Sequence, residues 1–111
     1  MAPELTQIEK EALHIFKTEL ERTIGEGLFE ITLFGSKARG DSTAESDIDI
    51  LVIVESEDWH ICNEIYRIAT DIQLDNDVYI SPKVLSRKDY SRNRDIGTPF
   101  IINILEEGVP V

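Results

Sequence analysis

Residues Leu33-Phe34-Gly35-Ser36-Lys37-Ala38-Arg39-Gly40, followed by Ser46-Asp47-Ile48-Asp49-Ile50-Leu51-Val52, constrain this chain more than any other stretch. An apolar strand runs into a glycine. A second apolar strand then returns, carrying two carboxylates two residues apart. Strand side chains repeat with a period of two, so Ile31 and Leu33 share one face and Asp47 and Asp49 point the same way. Gly35 permits an unusual φ or a close backbone approach, and the N–H groups from Ser36 onward can cup an anion. Two like charges on a strand otherwise rich in Ile, Leu and Val are costly unless a cation joins them. An anion-binding turn facing paired carboxylates suits a phosphate–Mg²⁺ complex better than a free metal.

The 111 residues suffice for a single domain, 1–111, with one modest core. No stretch approaches the roughly 18 apolar residues of a membrane span, so no membrane association is expected. The N-terminus lacks the basic and apolar regions of a signal peptide. Cys62 is the only cysteine, so no internal disulfide forms, and a cytoplasmic, reducing location is expected. The formal charge is −11, from 22 acidic and 11 basic residues. That balance argues against an extensive direct nucleic-acid surface, which is usually basic. It leaves room for a small anionic substrate bound with its metal, or for a basic protein partner.

Thr6 and Glu9 have the spacing of a capping box. Ile8, Ala12, Ile15, Phe16, Leu20 and Ile24 follow at helical spacing, which predicts a helix over about 7–23, stopped by Gly25 and Gly27. His14 falls on this helix as a surface residue. Leu28 to Phe34 reads as the first strand, residues 37–46 as a short helix or loop, and Ile48 to Val54 as a second, central strand. Ser56 is the expected N-cap of the next helix, whose row of Ile61, Ile65, Ile68 and Ile72 makes a wide buried stripe. On this reading Cys62 is a core thiol and Trp59 a packing anchor. Val78 to Leu85 reads as a third strand interrupted by Pro82, which favours an edge position or a bulge. Ser86 caps a short helix through about Asn93, with Arg87, Lys88, Arg92 and Arg94 as the densest basic cluster. Thr98-Pro99 starts a last helix that ends at Gly108. The fold class is α/β (α+β): a small mixed β-sheet covered by helices.

Read as chemistry, the backbone donors around Gly35 and Ser36, with the Ser36 hydroxyl, hold nucleotide phosphates. Asp47 and Asp49 hold divalent cations bridging them. Arg39 or Lys37 contacts phosphate, with Arg favoured for a bidentate contact. Gly-Ser alone marks many turns, and Asp-x-Asp alone is common on surfaces. The specificity lies in their order and spacing on two apolar strands. The stretch is not a Walker motif, because it has no Gly-x-x-x-x-Gly-Lys-Ser/Thr.

The two motifs together resemble the signature of the polymerase-β-like nucleotidyltransferase superfamily, and more narrowly its minimal nucleotidyltransferase domains. The flanks are similar too, with a leading amphipathic helix and a closing Ile104-Leu105-Glu106-Glu107-Gly108-Val109. The resemblance implies a nucleotidyltransferase-like fold. It implies that Gly35 and Ser36 hold phosphates and that Asp47 and Asp49 bind Mg²⁺, two ions with nucleotide bound. It implies ATP as substrate, with AMP moved onto a hydroxyl of a partner protein. It also implies a small helical HEPN-type partner, the chain acting as antitoxin of a toxin–antitoxin pair. The superfamily usually adds a third carboxylate on a later strand. Val78 to Val84 has none inside, so Asp77, at its start, is the candidate catalytic residue and third metal ligand. A contrasting reading is a degenerate binding module that neutralises its partner by contact. A homo-oligomer through an exposed helix face also stays open.

Overall fold

The computed structural model describes residues 5–41 and 46–111. Helix α1 (Gln7–Ile24) begins as its capping box dictates. The Glu9 N–H donates to Thr6 Oγ1 at 3.1 Å, and the Thr6 N–H donates to Glu9 Oε1 at 2.9 Å. A single 3₁₀ turn, Gly25–Gly27, leads into strand β1 (Leu28–Phe34). Helix α2 (Gly35–Arg39) is only five residues long and ends at Gly40 in the left-handed region. Part of the expected short helix or loop, 42–45, lies outside the described residues. Strand β2 (Ile48–Val54), helix α3 (Trp59–Asn76), strand β3 (Ile80–Ser86), helices α4 (Arg87–Ile96) and α5 (Pro99–Glu107) and the two-residue strand β4 (Val109–Pro110) follow.

The sheet order is β3-β2-β1-β4. β2 runs antiparallel to β1 and parallel to β3, and β4 pairs antiparallel with β1. The sheet is therefore mixed, β2 is interior, and Pro82 lies on an edge strand, where the missing N–H is tolerated. Alternation along β2 divides the core between two faces. Ile48, Ile50, Val52 and Val54 join Phe16 and Leu20 of α1 and Ile65, Ile68 and Ile72 of α3 in the larger cluster. Leu51 and Ile53 join Ile104 of α5, with Phe34, Leu85 and Tyr90 against them, in the smaller one. Helices thus cover both faces, and the carboxylate-bearing end of β2 lies between the layers. No helix among the described residues is long and apolar enough to cross a membrane.

Several details differ from the sequence expectation. α3 is capped by Asp58, not Ser56, because Asp58 Oδ1 accepts from the Ile61 N–H at 2.9 Å. Trp59 is not a packing anchor: it is 70% exposed and stacks on His60. It precedes Ile61 by two residues, roughly 200° round the helix from the edge of the buried stripe. β3 starts at Ile80 rather than Val78, because Asp77 closes α3 in the left-handed region at φ 55°. His14 is exposed, as expected, whereas Cys62, expected as a core thiol, is only half-buried.

Gly108 is fixed by packing. A Cβ there would meet Ile104 O at 2.5 Å and Thr32 Cγ2 at 2.8 Å, so only glycine lets the chain leave α5 and reach β1. Phe16 is fully buried between α1, α3 and the sheet. Phe16→Ala should lower the unfolding free energy by about 3–5 kcal/mol, seen as a fall in the urea midpoint with the slope unchanged.

Candidate functional site

The antiparallel register places Phe34 opposite Asp49 and Leu33 opposite Ile50. The residue after Phe34 is Gly35, so the turn at the end of β1 and the carboxylate on β2 meet at one end of the sheet. Gly35 has φ 77°, which L side chains rarely adopt. A Cβ on Gly35 would collide with Asp49 Oδ2 and stand 3.1 Å from its Cγ. The carboxylate occupies the room that a side chain would take. Asp49 and the first backbone groups of α2 therefore share one small volume.

Asp49 is half-buried and Asp47 is exposed just before β2. Burial raises the Asp49 carboxyl above its ordinary pKa, and the like charge of Asp47 raises it further. Lys83 and Arg39 act in the opposite direction without cancelling it. The observed donor set, two coupled carboxylates beside a turn whose side-chain volume is already given over to one of them, fits a hard divalent ion such as Mg²⁺.

The other expected site residues are placed differently. Ser36, in the first turn of α2, is half-buried beside Gly35. Lys37 is buried and directed at α1, with its Nζ 2.9 Å from Glu9 Oε2. Burial alone would push the Glu9 carboxyl up, but hydrogen bonds from the Thr6 N–H and Lys37 outweigh it and hold it below the ordinary range. Arg39 is exposed and bridges Asp41 and Glu107, at 3.1 Å to each, tying α2 to the end of α5. Those hydrogen bonds, Asp41 first, raise the Arg39 pKa.

Asp77 does not join the pair. It is the C-cap of α3 and lies off the sheet, on a cleft of about 490 Å³ that Glu9, Lys37, Ser46 and Tyr79 also line. Among the described residues no group of three His, Cys, Asp or Glu side chains is arranged to hold a metal. The β3 residue paired with Asp49 is Ser81, and Leu51 is paired with Lys83. Sequence reasoning passed over both. The alternation around the buried Pro82 carries the signal, since Ser81 and Lys83 must face away from it. Phe34 is the last residue of β1. Its ring meets Phe100 edge-on at 5.7 Å, an aromatic pair at the register level of Asp49.

The sequence model of the nucleotidyltransferase domain family matches residues 10–111. Two Methanocaldococcus jannaschii proteins, each named "Putative protein adenylyltransferase", are similar along most of their length. One is 34% identical over 97% of this chain and 99% of its own, the other 35% identical over 90% and 94%. A solved structure described as a "putative minimal nucleotidyltransferase" superposes with a TM-score of 0.58 at 21% identity, covering 96% of this chain and 97% of that one. A toxin-antitoxin structure with AMP-PNP superposes with a TM-score of 0.53 at 20% identity, over 86% of this chain and 68% of that one. These two likenesses concern the fold.

Asp49 holds its proton to higher pH when folded than when unfolded, so its ionisation removes stability as pH rises through the folded pKa. Without divalent metal, Asp49→Asn should therefore melt at a higher temperature than wild type at neutral pH. The difference should close as pH falls and Asp49 is protonated in both states. Gly35→Ala should cost roughly 1–2 kcal/mol from the positive φ alone, with the collision at Asp49 added, measured by chemical denaturation.

Proposed function

The chain belongs to the nucleotidyltransferase domain family, and we propose that it moves a nucleotidyl group, AMP from ATP, onto a hydroxyl of a partner protein. The observation that carries this reading is the contact of the Asp49 carboxylate with the glycine of the phosphate turn. The turn N–H groups and the Ser36 hydroxyl hold the triphosphate and orient its α-phosphorus. Asp47 and Asp49 are the residues that would hold Mg²⁺, two ions with nucleotide bound. Bound there, magnesium would neutralise phosphate charge and lower the pKa of the attacking hydroxyl. The hydroxyl oxygen bonds to the α-phosphorus as the bond to pyrophosphate breaks. Most of the acceleration comes from alignment and fixed charge rather than covalent chemistry with the protein.

The acceptor reading rests on the curated relatives, both named for protein adenylyltransferase activity. A toxin-antitoxin assembly is among the structural neighbours, and the resemblance of the two motifs to minimal nucleotidyltransferase domains implies a small helical HEPN-type toxin as that acceptor. A second reading, neutralisation by contact alone, is favoured by the carboxylate set of two rather than three among the described residues.

One assay separates the two readings. The chain is incubated with Mg²⁺, ATP labelled at the α-phosphorus, and a candidate HEPN-type partner protein. Label should appear on the partner with wild type and be lost with Asp47→Asn/Asp49→Asn. Partner inhibition that survives this substitution, with no label transferred, would establish the contact module instead.

A further inference from the structure

Three cations stand near the turn and the carboxylate pair, and two are already committed. Lys37 is buried against Glu9, and Arg39 is shared between Asp41 and Glu107. Lys83 is exposed and makes no ion pair among the described residues. Its direction follows from the sheet. β3 is parallel to β2 with Asp49 against Ser81 and Leu51 against Lys83, and paired residues share a face. Leu85, two residues on, packs with Leu51 and Ile53 on that same face. From strand rise and spacing, the Lys83 and Asp49 Cα atoms lie about 8 Å apart on the diagonal, within the span of a four-carbon side chain.

We propose that Lys83 is a substrate-binding residue of this site, its ammonium contacting the phosphate chain of a nucleoside triphosphate held between the Gly35–Ser36 turn and Asp47–Asp49. The inference rests on the function proposed above and adds the group that answers the substrate's charge. A triphosphate brought to this end of the sheet meets two carboxylates of its own sign. Divalent metal offsets part of that repulsion. The β3 position diagonal to Asp49 supplies a positive charge, and it already acts electrostatically on that carboxylate. Lysine suits the task as a compact, mobile point charge, whereas the forked Arg39 is fixed in its two carboxylate contacts. Lys83 is exposed and takes no part in the apolar clusters, so its replacement leaves the fold intact.

The test is calorimetric titration with AMP-PNP in Mg²⁺, and with AMP, on wild type, Lys83→Met, Lys83→Arg and Asp47→Asn/Asp49→Asn. Lys83→Met should weaken AMP-PNP binding by about 10- to 100-fold, the scale of a lost hydrogen bond to a charged group. It should weaken AMP far less, and Lys83→Arg should restore most of the affinity. Equal losses for AMP and AMP-PNP would overturn the assignment to the phosphate chain. Wild-type affinity in Lys83→Met, with binding lost in the double Asp variant, would overturn Lys83 and leave the site standing. Absence of AMP-PNP binding by wild type in Mg²⁺ would overturn both.

Discussion

Asp49 sits where a side chain on Gly35 would be, and most of the architecture at this end of the sheet follows from that contact. It requires β1 and β2 to be antiparallel with Phe34 opposite Asp49. It requires a positive φ at the residue after Phe34 and no Cβ there. The rest of the sheet makes the register rigid. A slip of one residue along β2 would turn Ile50 and Val52 out of the larger core and carry Asp49 into it. Hydrophobic burial by α1, α3 and α5 thus does more than stabilise the sheet. It holds a half-buried carboxylate, coupled to a second, against the backbone groups of a tight turn.

That placement has an electrostatic cost, and the surrounding charges show how it is distributed. The chain is strongly acidic, yet its cations near the site are not spread evenly. Lys37 is used internally, joining α2 to the capping box of α1 through Glu9. Arg39 joins α2 to α5 through Glu107. Both fix the short helix that follows Gly35, so the turn is held from two sides by ion pairs and from below by the buried Ala38. Asp49 is left with its pKa raised. A carboxylate in this state disfavours its own charge, and on the proposed function a metal-bound nucleotide would relieve that penalty.

Much of this was legible in the residues. β1 and β2 end where their apolar runs end, at Gly35 and before Glu55, so both strands were read with their observed bounds. The capping box of α1 and the Thr98-Pro99 start were legible because capping is local chemistry. What could not be read depended on neighbours distant in sequence. Ser56 and Asp58 are both competent caps, and the choice of Asp58 goes with Glu57 reaching across to the Ser86 N–H at 2.6 Å. Asp77 lies at the start of the expected strand, but its left-handed φ ends α3 and keeps it off the sheet. β4 has two residues, one a proline, and exists only by pairing with Thr32 and Leu33. Lys83 acquires meaning only from the parallel register of β3, a non-local fact.

The central claim is that one small volume, between Gly35, Ser36 and the Asp47–Asp49 pair, receives metal and nucleotide together. Paramagnetic broadening tests it most directly. Substoichiometric Mn²⁺ is added to ¹⁵N-labelled protein with and without AMP-PNP, and the amide signals are followed. The signals of Gly35, Ser36 and Asp49 should broaden first, and more strongly once AMP-PNP is present. Broadening centred on the acidic turn of Asp75 and Asp77, indifferent to nucleotide, would contradict the account.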